Sequence, residues 1–151
     1  MIISKVKNII LWYNSNLGNV DNLALNYKLL FLGTNAIYFF IPYYFNLDLF
    51  YTFLFCSMGT ISTIFHGHQC CNQVCRKNTQ LLMWSDVVLT STIGTIIIFL
   101  RIYYVNYIFF ISFLFSLYFY YYGTNKLGPK QYIFYHGMWH ILTGVSFITL
   151  F

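Results

Sequence analysis

From Leu81 to Leu100 the chain runs for twenty residues with a single charged side chain, Asp86. No other stretch limits the fold as strongly. At about 1.5 Å per residue a helix of that length crosses a hydrocarbon core of about 30 Å. Four further apolar runs share its character, at about 29–45, 49–65, 102–122 and 131–151. Short polar segments divide them: Asn46 with Asp48, then His66 to Gln80, then Arg101, then Gly123 to Lys130 with the breaker pair Gly128 and Pro129. Inside hydrocarbon every backbone N–H and C=O must find its partner within the segment, which selects helices. The expected fold is therefore all-α, a polytopic membrane helical bundle of about five transmembrane helices.

Composition excludes the soluble alternative. With 59% hydrophobic and 7% charged residues in 151, the chain has too little polar surface to cover a water-soluble globule. No linker, internal repeat or compositional shift divides it, so residues 1–151 read as one transmembrane domain. The segment 1–27 carries Lys5 and Lys7, and its apolar run Ile9 to Tyr13 is too short to span or to form a signal-peptide core. It is expected to lie in the cytosol or at the interface. The net charge of +5 comes from loop and flank residues without a basic stripe, which argues against nucleic acid as a partner. Because loops alternate sides, Lys5, Lys7, Lys28, Arg76, Lys77, Lys126 and Lys130 share one side and Arg101 stands alone on the other. The positive-inside rule then puts the N-terminus in the cytosol. The expected location is multi-pass in an endomembrane, ER or Golgi, with the organelle and a homo-oligomeric state left open. Cysteines 70, 71 and 75 would face the cytosol and stay reduced, or carry palmitate.

The last run contains His136 and His140, one helical turn apart on one face. The same parity brings the end of the second run (Ser62, His66) and the start of the third (Asp86) to their membrane depth. Three neutral imidazoles with one open position make the usual catalytic zinc site, where a bound water has a pKa near about 7. His66, His136 and His140 would supply the imidazoles and Zn2+ the metal. Asp86 would accept the water's proton or orient a ligand ring. Ser62, one turn before His66, would hydrogen-bond a substrate carbonyl or its oxyanion. Each residue also has a plainer role: a histidine satisfied in packing, a serine bonded to its own helix, an aspartate complementing a helix dipole. An unpaired carboxylate within an apolar helix is costly, however, so Asp86 calls for a partner.

Two other metal chemistries are written in the same residues. His66, His68, Cys70, Cys71 and Cys75 fall within ten positions and suit zinc by softness, but in no framework of paired ligands. Haem between His66 and His136 or His140 would use facing histidines and leave Ser62 and Asp86 without purpose.

Ser62-Thr-Ile-Phe-His66, an aspartate in the next run, and His136-Gly-Met-Trp-His140 in the last resemble the signature of the CREST superfamily of membrane hydrolases. That group includes alkaline ceramidases, progestin and adipoQ receptors, GPI-remodelling factors, and the post-GPI-attachment phospholipase and myomaker branch. The resemblance covers about Leu49 to Leu100 and Gln131 to Phe151. His136 to Gly144, Met58-Gly59 and Gln80-Leu-Leu look ceramidase-like. The step from His66 to Asp86 is closer to the myomaker and phospholipase branch. The resemblance implies zinc on His66, His136 and His140, supporting roles for Ser62 and Asp86, and a shortened version of a seven-span fold. The function it implies is hydrolysis of a lipid amide or ester in a ceramide-like or phospholipid substrate. The alternative is a non-catalytic zinc protein, receptor-like or membrane-remodelling.

Overall fold

A computed structural model describes residues 20, 23–71, 76–124 and 129–151. Among these the secondary structure is helical throughout: α1 Leu25–Gly33, α2 Ala36–Tyr44, α3 Leu49–Cys71, α4 Arg76–Leu100, α5 Tyr107–Thr124 and α6 Pro129–Ile148, with a 3₁₀ turn at Ile102–Tyr104. The expected interfacial segment falls almost wholly outside the described residues, as does Cys75.

The first apolar run, read as one helix over 29–45, is two. Thr34 Oγ1 donates to the Phe31 carbonyl at 2.7 Å, and the backbone closes there with Thr34 N–H on Phe31 O and Asn35 N–H on Leu32 O, both 3.2 Å. Gly33, Thr34 and Asn35 are weak helix formers whose hydroxyl and amide compete for the backbone, so the helix tightens and restarts at Ala36. α2 ends as Asn46 enters the left-handed region at φ 48°. Leu47 N–H bonds Pro42 O at 3.0 Å and Asn46 N–H bonds Tyr43 O at 3.4 Å, a Schellman closure. Asp48 Oδ1 then accepts from Tyr51 N–H at 3.0 Å, capping α3. Asn46 and Asp48 thus make the turn expected of them.

The segment His66 to Gln80, expected as a polar loop, is mostly helix. α3 continues to Cys71 and α4 already starts at Arg76. His66 and Gln69 are buried, and their polar atoms bond inward, so polarity here marks an inner helical face. One consequence is depth. Asp86 lies ten residues past the start of α4, not near it, and with His140 and Ser62 it sits about 14–16 Å along the helices from their near ends. At the other end, Arg101 packs its guanidinium over Phe151, Tyr104 and Tyr51 at 4.3, 4.9 and 5.1 Å from the ring centroids. α5 begins at Tyr107, later than the expected 102, because Asn106 Oδ1 caps it through Phe109 N–H at 3.0 Å. Pro129 opens α6, two residues before the expected 131, with its ring fixed for a first helical turn.

α3 packs on α4, α5 on α6, and the broken pair α1–α2 lies against α3 and α6. Two apolar clusters form. One, around Ile41, Phe55, Ile97, Phe147 and Leu150, fills the end near Arg101. The other, around Phe31, Cys70, Tyr132 and Ile133, fills the opposite end. The buried polar residues Ser62, His66, Asp86, His136, His140 and Thr143 lie on α3, α4 and α6. Two helices, Leu49–Cys70 and Asn78–Leu100, are long and apolar enough to cross a membrane.

Candidate metal centre

α3 presents Ser62 and His66 one turn apart, α4 presents Asp86, and α6 presents His136 and His140; all five are buried. The three imidazoles form a nearly equilateral triangle. Ring centroids are 4.9 Å apart for His66–His136, 5.0 Å for His66–His140 and 4.9 Å for His136–His140, with planes inclined by 75°, 82° and 70°. Steep mutual inclination is compatible with ligands around a common centre, as it is with edge-to-face ring packing. One nitrogen from each ring lies within 4.8 Å of the others, and His66 Nε2 is 3.0 Å from His140 Nε2. Two imidazoles on one tetrahedral zinc have nitrogens about 3.3 Å apart, given Zn–N bonds of about 2.0–2.1 Å. Three buried histidines therefore lie close enough to hold a metal ion.

The donor set fits such an ion. Both ring nitrogens of His136 and Nδ1 of His140 are buried without a hydrogen-bond partner. Orphaned buried polar atoms are rare because each costs roughly 1–3 kcal/mol, and an ion in the triangle would give one of the two His136 nitrogens a partner. His66 is already oriented for this. Its Nδ1 lies 3.0 Å from Gln69 Oε1, and Gln69 Nε2 donates to the Tyr132 hydroxyl at 3.2 Å. An amide oxygen only accepts, so Nδ1 carries the proton and the Nε2 lone pair faces the triangle.

Three of these neighbours were not expected from sequence. Gln69 is one turn after His66 on α3. Tyr132 is one turn before His136 on α6, and its ring stacks on that histidine at 5.0 Å and 28°. These two were within reach, since their spacing places them beside a ligand. Phe31 carried no signal. It comes from α1, is fully buried, and its ring lies 4.4, 5.6 and 6.5 Å from those of His66, His136 and His140, closing that side of the triangle.

Ser62 and Asp86 face elsewhere. They line a cavity of about 340 Å³ bounded by α3, α4, α5 and α6 with Tyr38 of α2, and of the three histidines it is His140 that shares this wall. Ser62 Oγ and Asp86 Oδ1 are both buried, and the serine hydroxyl lies beside the Asp86 carboxyl group. The deep end is apolar, formed by Ile98, Phe113, Leu117 and Phe147. The five expected residues thus form two adjoining parts, a histidine triangle against α1 and a cavity carrying Ser62 and Asp86, joined at His140.

The rival loop cluster does not assemble among the described residues. His68 Nδ1 is 2.9 Å from Thr79 Oγ1, tying α3 to α4. Cys70 packs with Phe31, Tyr132 and Ile133. Nor can a porphyrin stand between His66 and His140, whose nitrogens nearly touch. No protein-family model, no curated protein and no solved structure matches the chain.

Proposed function

We propose that the chain is a zinc-dependent integral membrane hydrolase that cleaves a lipid amide or ester. One observation carries the proposal: a buried three-histidine triangle shares His140 with a cavity whose wall holds Ser62 and Asp86, the serine hydroxyl beside the carboxyl group. The likeness of this constellation to the CREST signature supports it.

Membrane residence has its own support. In the apolar windows of α3 and α4 only 39% and 28% of residues are buried within the protein, whereas a core helix of a soluble protein would be mostly covered. The outer surface continues apolar over α5, with Phe110, Ile111, Leu114 and Phe115 each more than half exposed. α6 is less apolar overall because its polar side chains point inward, while Phe134, Ile141 and Val145 point out. With the pair α1–α2 as one interrupted span, five spans result. Backbone interruptions at membrane depth are tolerated where protein covers them, and Asn35, in the interruption, is fully buried. The charge count places the N-terminus in the cytosol.

His66, His136 and His140 would hold the ion. Zinc held there would supply a water ionising at about pH 7 and a Lewis-acid contact for a carbonyl oxygen. Gln69 keeps the His66 lone pair directed inward. Asp86 accepts a proton at its free carboxylate oxygen and returns it to the leaving amine or alkoxide. Ser62 donates its hydroxyl hydrogen to the carbonyl oxygen as negative charge develops there. The apolar end of the cavity takes the chain and excludes water.

Purified protein should contain about one zinc and release fatty acid from ceramide or a phospholipid. Ser62→Ala and Asp86→Asn should keep the zinc and the fold while lowering kcat by about 10²–10³. Absence of turnover over a broad lipid panel, with zinc bound, would exclude the enzyme and leave a non-catalytic zinc protein of receptor-like or membrane-remodelling type.

A further inference from the structure

Hydroxyls buried in apolar helices normally turn back onto their own backbone, because no water is there to satisfy them. This chain follows the rule widely. Ser112 Oγ donates to Ile108 O at 2.8 Å, Ser116 to Phe113 O at 2.7 Å and Ser146 to Leu142 O at 2.8 Å. Thr90, half-buried, donates to Asp86 O at 2.6 Å. Two buried hydroxyls depart from it: Ser62 Oγ turns to the Asp86 carboxyl group, and Thr143 Oγ1 has no hydrogen-bond partner. Both line the cavity that His140 and Asp86 also line. Ser62 has a role in the chemistry above; Thr143 has none.

The geometry points to Thr143 as a substrate-contacting, specificity-determining residue that binds a hydroxyl on the lipid beside its scissile carbonyl. Thr143 follows His140 by three residues on α6, one turn or about 4.5 Å deeper along the axis. Phe147, one further turn on, belongs to the cavity's apolar end. Thr143 therefore stands between the reacting end and the chain-binding end. A group reaching it must be polar, because an alkyl chain alone would leave its hydroxyl unsatisfied, and must lie within a few bonds of the carbonyl held near His140. A lipid amide or ester with a hydroxyl on a carbon next to the reacting group meets both conditions, and Thr143 can both donate to and accept from it. Sites built to hydrogen-bond a substrate hydroxyl discriminate against the analogue that lacks it, since the protein group is then buried unpaired.

The inference takes its ligand class from the hydrolase reading, so its test has two readouts. The probes are two N-acyl lipid amides identical except for one hydroxyl adjacent to the amide, each with a brominated chain. Zinc-loaded protein in lipid nanodiscs is assayed for initial rate and for quenching of tryptophan fluorescence, Trp139 being in the cavity wall. The wild type should favour the hydroxylated probe about tenfold, or about 1.4 kcal/mol, in both readouts. Thr143→Val, which removes only the hydroxyl, should bring that probe down to the level of its partner with zinc content unchanged, and Thr143→Ser should restore the preference. Equal handling of the two probes by the wild type, or a preference that survives Thr143→Val, would overturn the assignment. Tenfold selective binding without turnover would refute the hydrolase and uphold Thr143; turnover without selectivity would do the reverse.

Discussion

Gln69 shows how much of the candidate centre depends on a residue outside the histidine triangle. Its amide joins His66 Nδ1 to the Tyr132 hydroxyl, so α3 and α6 are fastened together by the group that sets the histidine's tautomer. Partners of this kind are worth about 10–100-fold in metal affinity. Gln69→Ala should weaken zinc binding by that factor, measured by competition with a coloured chelator. Gln69→Glu, which keeps the acceptor, should recover most of it. His140 has a different standing, because it belongs both to the triangle and to the cavity wall. His140→Ala should lose stoichiometric zinc and all zinc-dependent thermal stabilisation. In the wild type, zinc held at about 1,000 times its Kd should contribute about 4 kcal/mol, read as a fall in Tm on chelation. Equal zinc content in wild type and His140→Ala would remove His140 from the centre.

At the scale of elements, the interrupted pair α1–α2 decides whether the triangle is closed, since Phe31 reaches the rings from α1. Close approach of this pair to α6 depends on glycine. A Cβ at Gly144 would come within 2.6, 2.8 and 2.9 Å of three carbons of Ile37, and one at Gly137 within 3.0 Å of Thr34 Cγ2. Gly144→Ala should therefore force α2 away from α6 and cost about 1–3 kcal/mol, seen as a lower Tm and weaker zinc binding. Gly33 makes the internal control. It is helical and has nothing within 4 Å of its would-be Cβ, so Gly33→Ala should be neutral or stabilise by up to about 1 kcal/mol. If the two substitutions behave alike, helix contact at Gly144 is not what holds the pair in place.

For the whole molecule the decisive property is orientation. Arg101 and its aromatic neighbours mark one end of the bundle, while Lys130, stacked 5.2 Å over Tyr27, marks the other. The proposed arrangement of five spans with a cytosolic N-terminus would put Lys130 in the cytosol and the 3₁₀ turn at Ile102–Tyr104 across the membrane. In a cysteine-free background, Lys130→Cys and Tyr103→Cys, both at exposed positions, should react with an impermeant thiol reagent from opposite faces of sealed vesicles. Labelling of both from one face would rule out the odd number of crossings between them that this arrangement requires.

The apolar runs by themselves determined that the chain is helical, since they are long and hold no proline within α3, α4 and α5. They also made the three metal-capable histidines legible: His136 and His140 share a face by spacing, and alternation of the runs brings His66 to meet them. What stood beyond a local reading were features set by neighbours distant in sequence. Polarity from His66 to Gln80 looks like a loop when no partner is in view, yet His66 and Gln69 are inner groups satisfied from α6, and the helix runs on past them. Phe31 seals the triangle because of where α1 is laid down, and nothing in its own surroundings announces that. Thr143 resembles any other threonine of an apolar helix until its residue is found in a cavity wall with its hydroxyl bonded to nothing. Residue order settles which groups can lie on one face of a helix. Only packing of the helices decides which polar groups find partners and which are left facing a cavity.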